Sequence, residues 1–185
     1  RNTATIGGNI GNASPKGDMP QPLILLDADA LNLLAGEGIS PAVFSQNSSE
    51  NLVITPHIGE MARLTGLKAD EILRAPAVIS CDYAKKHRCI VVLKGAVTYV
   101  AFPDGNVFEN DSGSPALAKA GSGDVLSGVI AGITAVCGDA KAGAAAGVYL
   151  HGRAGTLAAE EKGIHGILAR DIAENISKAI KDLEL

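Results

Sequence analysis

The chain has 185 residues, which is enough for one domain with a buried core, and 46% of them are hydrophobic without any run of membrane-spanning length. The net charge of −4, the absence of Lys and Arg clusters and an aromatic content of 3% without Trp argue against nucleic acid as the main partner. Its three cysteines lack a Cys-x-x-Cys spacing, which indicates a reducing, cytoplasmic setting rather than disulfides or zinc. The start at Arg1 instead of Met suggests a fragment or a processed product.

Short apolar runs bounded by turn residues alternate with longer periodic segments along the chain. Residues 1–22 are turn-rich and show little periodicity, so we interpret them as a loop. The predicted strands are residues 23–26, 52–54, 89–94, 98–102 and 107–109. The predicted helices are residues 28–35, 58–64, 70–87 with an entry or kink at Pro76, the run after residue 124, 140–161 and 168–185.

This alternation predicts an α/β fold, in which a mostly parallel sheet with one hairpin is covered by helices on both faces. In such sheets ligands bind at the carboxyl ends of the strands. Asp27, His57, Lys94 and Asp124 each stand at a strand end or a helix start. We therefore expect these polar side chains to share one edge of the sheet, which favours a binding site over packing alone.

Gly121-Ser122-Gly123-Asp124, called the glycine turn below, is followed directly by an apolar run long enough for a buried helix. Such a turn exposes backbone N–H groups at the positive end of the helix dipole, which suits phosphate. A carboxylate beside a phosphate site needs a task, and Asp124 could take the proton of an attacking hydroxyl. The alternative is simple helix capping by Ser122 or Asp124, which a four-residue match does not exclude.

Three further residues each allow two interpretations. Asp27 closes an apolar strand, so its carboxylate needs a hydrogen-bond partner or a ligand. Thr55 and Pro56 are predicted to cap and open the next helix, which leaves His57 for a substrate amide or hydroxyl, or for local backbone. Lys94 could meet phosphate as a point charge or extend to solvent.

Near the end of the chain, His151 and Arg153 fall in the Ala-rich predicted helix and His165 in the loop after it. We interpret these three residues as solvated or capping. The Ala and Gly content of residues 140–155 indicates close helix packing.

Four motifs occur in order, namely Leu-Asp-Ala-Asp-Ala-Leu-Asn at 26–32, Thr-Pro-His-Ile-Gly-Glu at 55–60, Val-Leu-Lys-Gly at 92–95 and Ala-Lys-Ala-Gly-Ser-Gly-Asp at 118–124. Together they resemble the ADP- or ATP-dependent NAD(P)H-hydrate dehydratases of the ribokinase-like superfamily. The resemblance runs from about residue 23 to the C-terminus. It implies a three-layer αβα domain over residues 23–185, preceded by an atypical glycine-rich segment over residues 1–22.

The resemblance implies a repair enzyme, in which a nucleotide phosphorylates the ring hydroxyl of hydrated NADH or NADPH and the phosphate is then eliminated. Asp124 would be the catalytic base and, with His57 and Asp27, would contact the hydrated dinucleotide. ADP or ATP would be the co-substrate, and Mg²⁺ would bridge its phosphates without a protein metal cage. The implied nucleotide-binding residues are Lys94, Gly95, Ala96, Val97, Thr98, Gly121, Ser122 and Gly123.

The sequence departs from the family pattern near its start, where part of the domain is expected to be missing or replaced. Residues 6–11 could stand in for a family glycine loop, although few residues then separate it from Asp27. Residues 1–18 resemble instead the flavin-binding signature of molybdenum hydroxylase medium subunits, which we interpret as a junction, a chance match or a chimeric start. Gly113-Ser114-Pro115 also replaces a stretch that usually includes Asn.

Two other functions stay open. A ribokinase-like kinase acting on a small alcohol would share the chemistry of the glycine turn. A truncated module would bind nucleotide without turnover. We also expect a homo-oligomer, because helical faces are exposed and one layer of the family domain is absent.

Overall fold

The computed structural model describes residues 23–44 and 51–183, and they form one five-stranded sheet with helices on both faces. The strands are β1 (Ile24–Leu26), β2 (Leu52–Ile54), β3 (Ile90–Leu93), β4 (Thr98–Ala101) and β5 (Val107–Asn110). Their order in the sheet follows the chain. β1, β2 and β3 pair in parallel, whereas β3 with β4 and β4 with β5 pair antiparallel. The predicted hairpin is β4–β5, and β3 also returns directly into β4.

The helices of the described residues match the predicted segments with one division. They are α1 (Asp29–Gly36), α2 (Ile58–Thr65), α3 (Ala69–Arg74), α4 (Pro76–His87), α5 (Ser122–Cys137), α6 (Ala140–Lys162) and α7 (Ala169–Lys181). Short 3₁₀ turns lie at Pro41–Phe44 and Pro115–Leu117. Pro76 is the first residue of α4, so residues 70–87 divide into two helices at this proline instead of forming one kinked helix.

The central strands alternate between two apolar cores because successive side chains of a strand point to opposite faces. Leu52 and Ile54 of β2 pack in a core with α1, α2, α3 and α4. Val53 faces the other core, which α5 and α6 complete. A third cluster joins α6 to α7. The prediction of helices on both faces of the sheet is confirmed.

α6 presents two glycines to α5, which lets the two helices approach closely. A Cβ on Gly143 would lie 2.0 Å from Thr134 Oγ1, and one on Gly147 would lie 2.9 Å from Ile130 Cα. Distances below about 3 Å exclude any side chain, so these glycines set the approach of the two helices. The close helix packing inferred from the Ala and Gly content is confirmed.

Several predictions concern segments beyond the described residues. The glycine-rich segment 1–22, with its flavin-like signature, lies outside them, as do residues 45–50 and the last two residues of the chain. The last helix, predicted to run to residue 185, ends at Lys181. Across the described ranges, no helix combines the length and the apolar character needed to cross a membrane.

Candidate active site

The predicted edge of the sheet exists, and the backbone brings three of its polar residues together. Asp27 directly follows β1 and Lys94 directly follows β3. His57 pairs with Lys94 in an isolated parallel bridge, and the Lys94 N–H donates to the Pro56 carbonyl at 2.8 Å. Parallel strands end at the same edge of a sheet, which is why these separate stretches of chain meet.

Asp27 and Lys94 form an ion pair at this edge. Lys94 Nζ lies 2.8 Å from Asp27 Oδ1, and their side chains are only 24% and 16% exposed. Ser127 of α5 donates to Asp27 Oδ2 at 3.2 Å. Burial by itself raises the pKa of Asp27, but the hydrogen bond and charge of Lys94, together with hydrogen bonds from Thr55 and Ala28, outweigh it and hold that pKa below its usual value. Asp27 therefore has the partner that its position requires, and Lys94 turns inward instead of into solvent.

The glycine turn begins α5 directly beside this ion pair. Gly121 adopts a left-handed φ of 83°, a conformation that favours glycine. A Cβ on Gly123 would stand 3.5 Å from Asp27 Oδ2 and 3.6 Å from Lys94 Nζ. Among the described residues, no oxygen accepts from the backbone N–H of Gly123 or Asp124. Unpaired N–H groups at a helix start beside a lysine make a site for an anion.

The capping alternative for the glycine turn is wrong. The Ser122 hydroxyl contacts the His151 ring at 3.2 Å and not the helix backbone. The Asp124 side chain is exposed and makes no hydrogen bond or ion pair with any other described residue. Its carboxylate is therefore available for chemistry at the start of α5.

A cleft of about 760 Å³ lies along this edge, between the end of β3 and the start of α5. Its walls include the predicted residues His57, Lys94, Gly95, Ala96, Thr98, Ser122 and Gly123. Asp27, Val97, Gly121 and Asp124 do not line it. Asp27 instead pairs with Lys94, which lines the cleft, and orients the lysine. The cleft also includes Asn110, Lys119, Leu126, Val148 and His151, which the sequence interpretation did not select.

His57 caps α2, a role that had been predicted for Thr55. His57 Nδ1 accepts from the N–H groups of Gly59 at 2.9 Å and Glu60 at 3.4 Å, and Glu60 Oε2 accepts from the His57 N–H. Thr55 is fully buried, and its hydroxyl donates to the Leu26 carbonyl. The predictions that Thr55 caps this helix and that Pro56 is its first residue are wrong, because the chain stays extended through His57 and the helix begins at Ile58. With Nδ1 accepting, Nε2 carries the proton, and the half-exposed ring still lines the cleft.

His151 is a residue of the cleft wall that sequence reasoning misjudged. It was interpreted as solvated or capping, yet it is only 7% exposed and lines the cleft. Its Nε2 lies 3.0 Å from the Ser122 carbonyl. Burial, together with the charge of Lys94, lowers its pKa to about 4, although the hydrogen bond to Ser122 opposes this. The other two residues of that interpretation stay near the surface: Arg153 pairs with Asp182 at 2.9 Å, and His165 is exposed.

The described residues contain no group of three or more His, Cys, Asp or Glu side chains that could hold a metal ion. Asp124, whose exposed carboxylate has no partner among the described residues, belongs to the first turn of α5 that offers the unpaired N–H groups. One carboxylate and a row of backbone donors fit a magnesium ion carried in by nucleotide phosphates, because Mg²⁺ commonly binds through phosphates, water and one or two carboxylates.

Comparison with known families agrees with this geometry. A family model described as NAD(P)H-hydrate dehydratase matches residues 15–178, which include every element of the site. The chain belongs to the NAD(P)H-hydrate dehydratase family.

Curated members of the NAD(P)H-hydrate dehydratase family show the same relationship. The bifunctional NAD(P)H-hydrate repair enzyme Nnr of Moorella thermoacetica is 42% identical over 160 residues, which are 86% of this chain and 29% of that protein. The ADP-dependent (S)-NAD(P)H-hydrate dehydratase of Bacillus subtilis is 32% identical over 177 residues, which are 95% of this chain and 64% of that protein. The chain thus spans less than two thirds of the length of these relatives.

Solved structures place the dehydratase family fold in the ribokinase-like superfamily. The ADP/ATP-dependent NAD(P)H-hydrate dehydratase from Bacillus subtilis, co-crystallised with ATP/Mg²⁺, superposes with a TM-score of 0.69 at 36% identity, over 71% of this chain and 47% of that one. A ribokinase-like superfamily protein from Enterococcus faecalis superposes with a TM-score of 0.70 at 26% identity, over 88% and 54% of the two chains. The predicted ribokinase-like αβα fold is confirmed.

Proposed function

We propose that this chain carries out nucleotide-dependent dehydration of hydrated NADH or NADPH, with ADP or ATP as the phosphoryl donor. The observation that carries the proposal is the start of α5 beside the Asp27–Lys94 ion pair, on the wall of a cleft, in a chain of this family. The alcohol-kinase alternative uses the same turn. Relatives named as dehydratases favour the repair reaction.

The nucleotide phosphates are proposed to lie against the glycine turn. The unpaired N–H groups of Gly123 and Asp124 point out of the first turn of α5, and Lys94 supplies a positive charge beside them. Preformed donors of this kind stabilise the charge that develops on a transferring phosphoryl group. The rest of the nucleotide would follow residues 94–98, of which Gly95, Ala96 and Thr98 line the cleft.

Asp124 is proposed as the base. Its carboxylate would take the proton of the substrate ring hydroxyl as that oxygen attacks the terminal phosphorus of the nucleotide. The bond from this phosphorus to the bridging oxygen breaks, and AMP leaves if ADP is the donor, or ADP if ATP is the donor. Loss of the new phosphate ester from the ring, together with a ring proton, then restores the double bond of NAD(P)H. Asp124 is suited to take this proton because its carboxylate stands at the helix start and has no partner among the described residues.

Magnesium would be held chiefly by the nucleotide phosphates, because the described residues offer no cluster of metal ligands. When bound, it supplies positive charge that neutralises the phosphate oxygens. His57 is proposed to contact the hydrated dinucleotide, since its ring is 52% exposed at the cleft. Asp27 supports the site through Lys94, and its direct contact with the substrate stays a prediction.

The test is a turnover assay with hydrated NADH, ADP or ATP, and Mg²⁺, which follows the absorbance of restored NADH. We expect Asp124→Asn to lower the rate by roughly 10²–10⁴-fold, the usual contribution of a positioned base. The matched control is Asp82→Asn, because Asp82 is an exposed aspartate of α4 on the opposite face of the sheet. An Asp124→Asn variant that restores NADH at the native rate would show that Asp124 is not the catalytic base.

Two further outcomes would each point to another function. Binding of ADP without restoration of NADH would indicate the nucleotide-binding module. Consumption of ATP with a small alcohol instead of hydrated NADH would indicate the kinase. The cytoplasmic location and the homo-oligomer are likewise proposals, and light scattering of the purified chain tests the second.

A further inference from the structure

His151 ends a row of small residues on one face of α6. Gly143, Gly147 and His151 are spaced four apart, so they share one side of the helix. A Cβ on Gly143 would meet Thr134, and a Cβ on Gly147 would meet Ile130. The row thus runs antiparallel along α5 toward its first turn. At that turn the residue on this face of α6 is His151 instead of a glycine.

The His151 ring contacts both the backbone carbonyl and the side-chain hydroxyl of Ser122. Nε2 lies 3.0 Å from the Ser122 carbonyl and 3.2 Å from the Ser122 hydroxyl. A carbonyl only accepts, so Nε2 is the protonated nitrogen and the ring donates. The contact joins residues 29 positions apart and is buried. A buried donor without its acceptor is costly, so this contact specifies one position for the turn.

The opposite side of the same helix start is held separately. Ser127 of α5 donates to Asp27, which is paired with Lys94. The first turn of α5 is therefore fastened to α6 through Ser122 and His151, and the second turn is fastened to the end of β1 through Ser127 and Asp27. Between these two contacts lie the unpaired N–H groups of Gly123 and Asp124 and the free carboxylate of Asp124.

We propose that His151 is a positioning residue, which holds the first turn of α5 so that the anion-binding N–H groups and the Asp124 carboxylate keep their reactive placement. It need not touch the substrate, and it acts through Ser122. This inference rests on the proposed function for its catalytic consequence, but the contact with Ser122 is testable without turnover.

Three substitutions of one residue separate positioning from packing. The amide nitrogen of Gln reaches about as far from the backbone as Nε2 of histidine and donates, Asn is polar but too short, and Met fills volume without a donor. We expect His151→Met and His151→Asn to lower kcat roughly tenfold with the KM for nucleotide changed less than about threefold, and His151→Gln to stay within about threefold of the native kcat. The Gln and Asn pair keeps the test valid if the Met variant does not fold.

The matched control is Thr134→Val, at the far end of the same α5–α6 contact. Thr134 is buried, and its hydroxyl has no hydrogen-bond partner among the described residues. Valine has nearly the same shape as threonine and removes no hydrogen bond at this position, so kcat should not change. Equal kcat values for the Gln, Asn and Met variants would overturn the proposal, because only glutamine keeps a donor that reaches the Ser122 carbonyl.

Amide hydrogen exchange of the full chain tests the tether independently of turnover. We expect the N–H groups of Ser122, Val125 and Leu126 to exchange roughly tenfold faster in His151→Asn than in His151→Gln. Failure of the native chain to restore NADH would refute the proposed function, yet this exchange difference would still support the tether. Identical exchange in the two variants would overturn the tether even if the chain is an active dehydratase.

Discussion

Asp27 and Lys94, 67 positions apart in the chain, meet at 2.8 Å below the first turn of α5. The pair gives a lysine that faces the cleft a fixed position, because Asp27 is itself held by the hydroxyl of Ser127 and by the N–H of Ala28. The carboxylate therefore orients the cation that faces an incoming phosphate. The following residue, Ala28, has a φ of 48°, a left-handed value that is uncommon outside glycine and marks local strain at the site.

Removal of the lysine should destabilise the fold as well as the site. Lys94→Met leaves a largely buried carboxylate without its cation, and we expect the free energy of unfolding to fall by about 2 kcal/mol. Asp27→Asn in the same chain should recover part of this loss, since the two substitutions affect one contact. Urea unfolding of the single and double variants measures the coupling. Lys68→Met, at an exposed lysine, is the control, and purely additive effects would contradict the pairing.

Acid should weaken the native chain through His151. Its pKa is about 4 in the folded protein against 6.5 for the unfolded group, so the unfolded chain binds the proton first. Stability from this residue is complete above pH 6.5 and declines as the pH falls to about 4, by roughly 3 kcal/mol in total. Asp27, with its lowered pKa, loses its contribution only at lower pH.

The measurement is urea unfolding at several pH values between 7 and 4 for the native chain and His151→Gln. Glutamine does not titrate, so the stability curve of the variant should be flatter in this window. Burial also lowers the pKa of His87, but His87 is present in both proteins. Its contribution to the pH dependence of stability therefore cancels in the comparison. Parallel curves would show that His151 does not titrate as stated.

Glycine at the α5–α6 contact should be intolerant of a methyl group. In Gly143→Ala the new Cβ would stand 2.0 Å from Thr134 Oγ1 and 2.7 Å from Thr134 Cα, so backbone must shift. We expect a loss of about 2–3 kcal/mol in the free energy of unfolding. Gly128→Ala is the matched control within a helix, because nothing lies within 4 Å of its Cβ. The free energy of unfolding of that control should rise by about 0.5–1 kcal/mol, because alanine has a higher helix propensity than glycine. Thermal unfolding of both variants measures the two changes.

The cap and the proposed substrate contact of His57 can be separated. His57→Ala removes the acceptor for the N–H groups of Gly59 and Glu60 and should cost about 1 kcal/mol. His57→Asn keeps a good N-cap and should retain native stability. Both variants should raise the KM for hydrated NADH if the ring contacts that substrate. An unchanged KM in the Asn variant would confine His57 to capping.

Local sequence signals were sufficient for most of the fold. Leu52, Val53 and Ile54 form an apolar run that is rich in β-branched residues and too short for a helix, which is typical of a buried strand. Gly66 ends α2 in a left-handed conformation, as a helix-stop signal predicts. The glycine turn before an apolar run predicted a helix start with free N–H groups, and the structure has one. The prediction for Thr55 was wrong because a cap depends on where the chain leaves its extended conformation, which residue preferences alone do not specify.

By itself the sequence determined which segments are strands and helices, and which polar residues stand at their ends. These properties follow from the backbone period and from neighbours within a few residues. Only the tertiary structure decided which side chains meet. Asp27 with Lys94 and His151 with Ser122 are contacts across 67 and 29 positions, formed when parallel strands end at one edge and the glycine face of α6 packs closely on α5. A residue such as His151 therefore looked solvated in the chain and is buried in the fold, because burial is a property of the packed helices and not of local sequence.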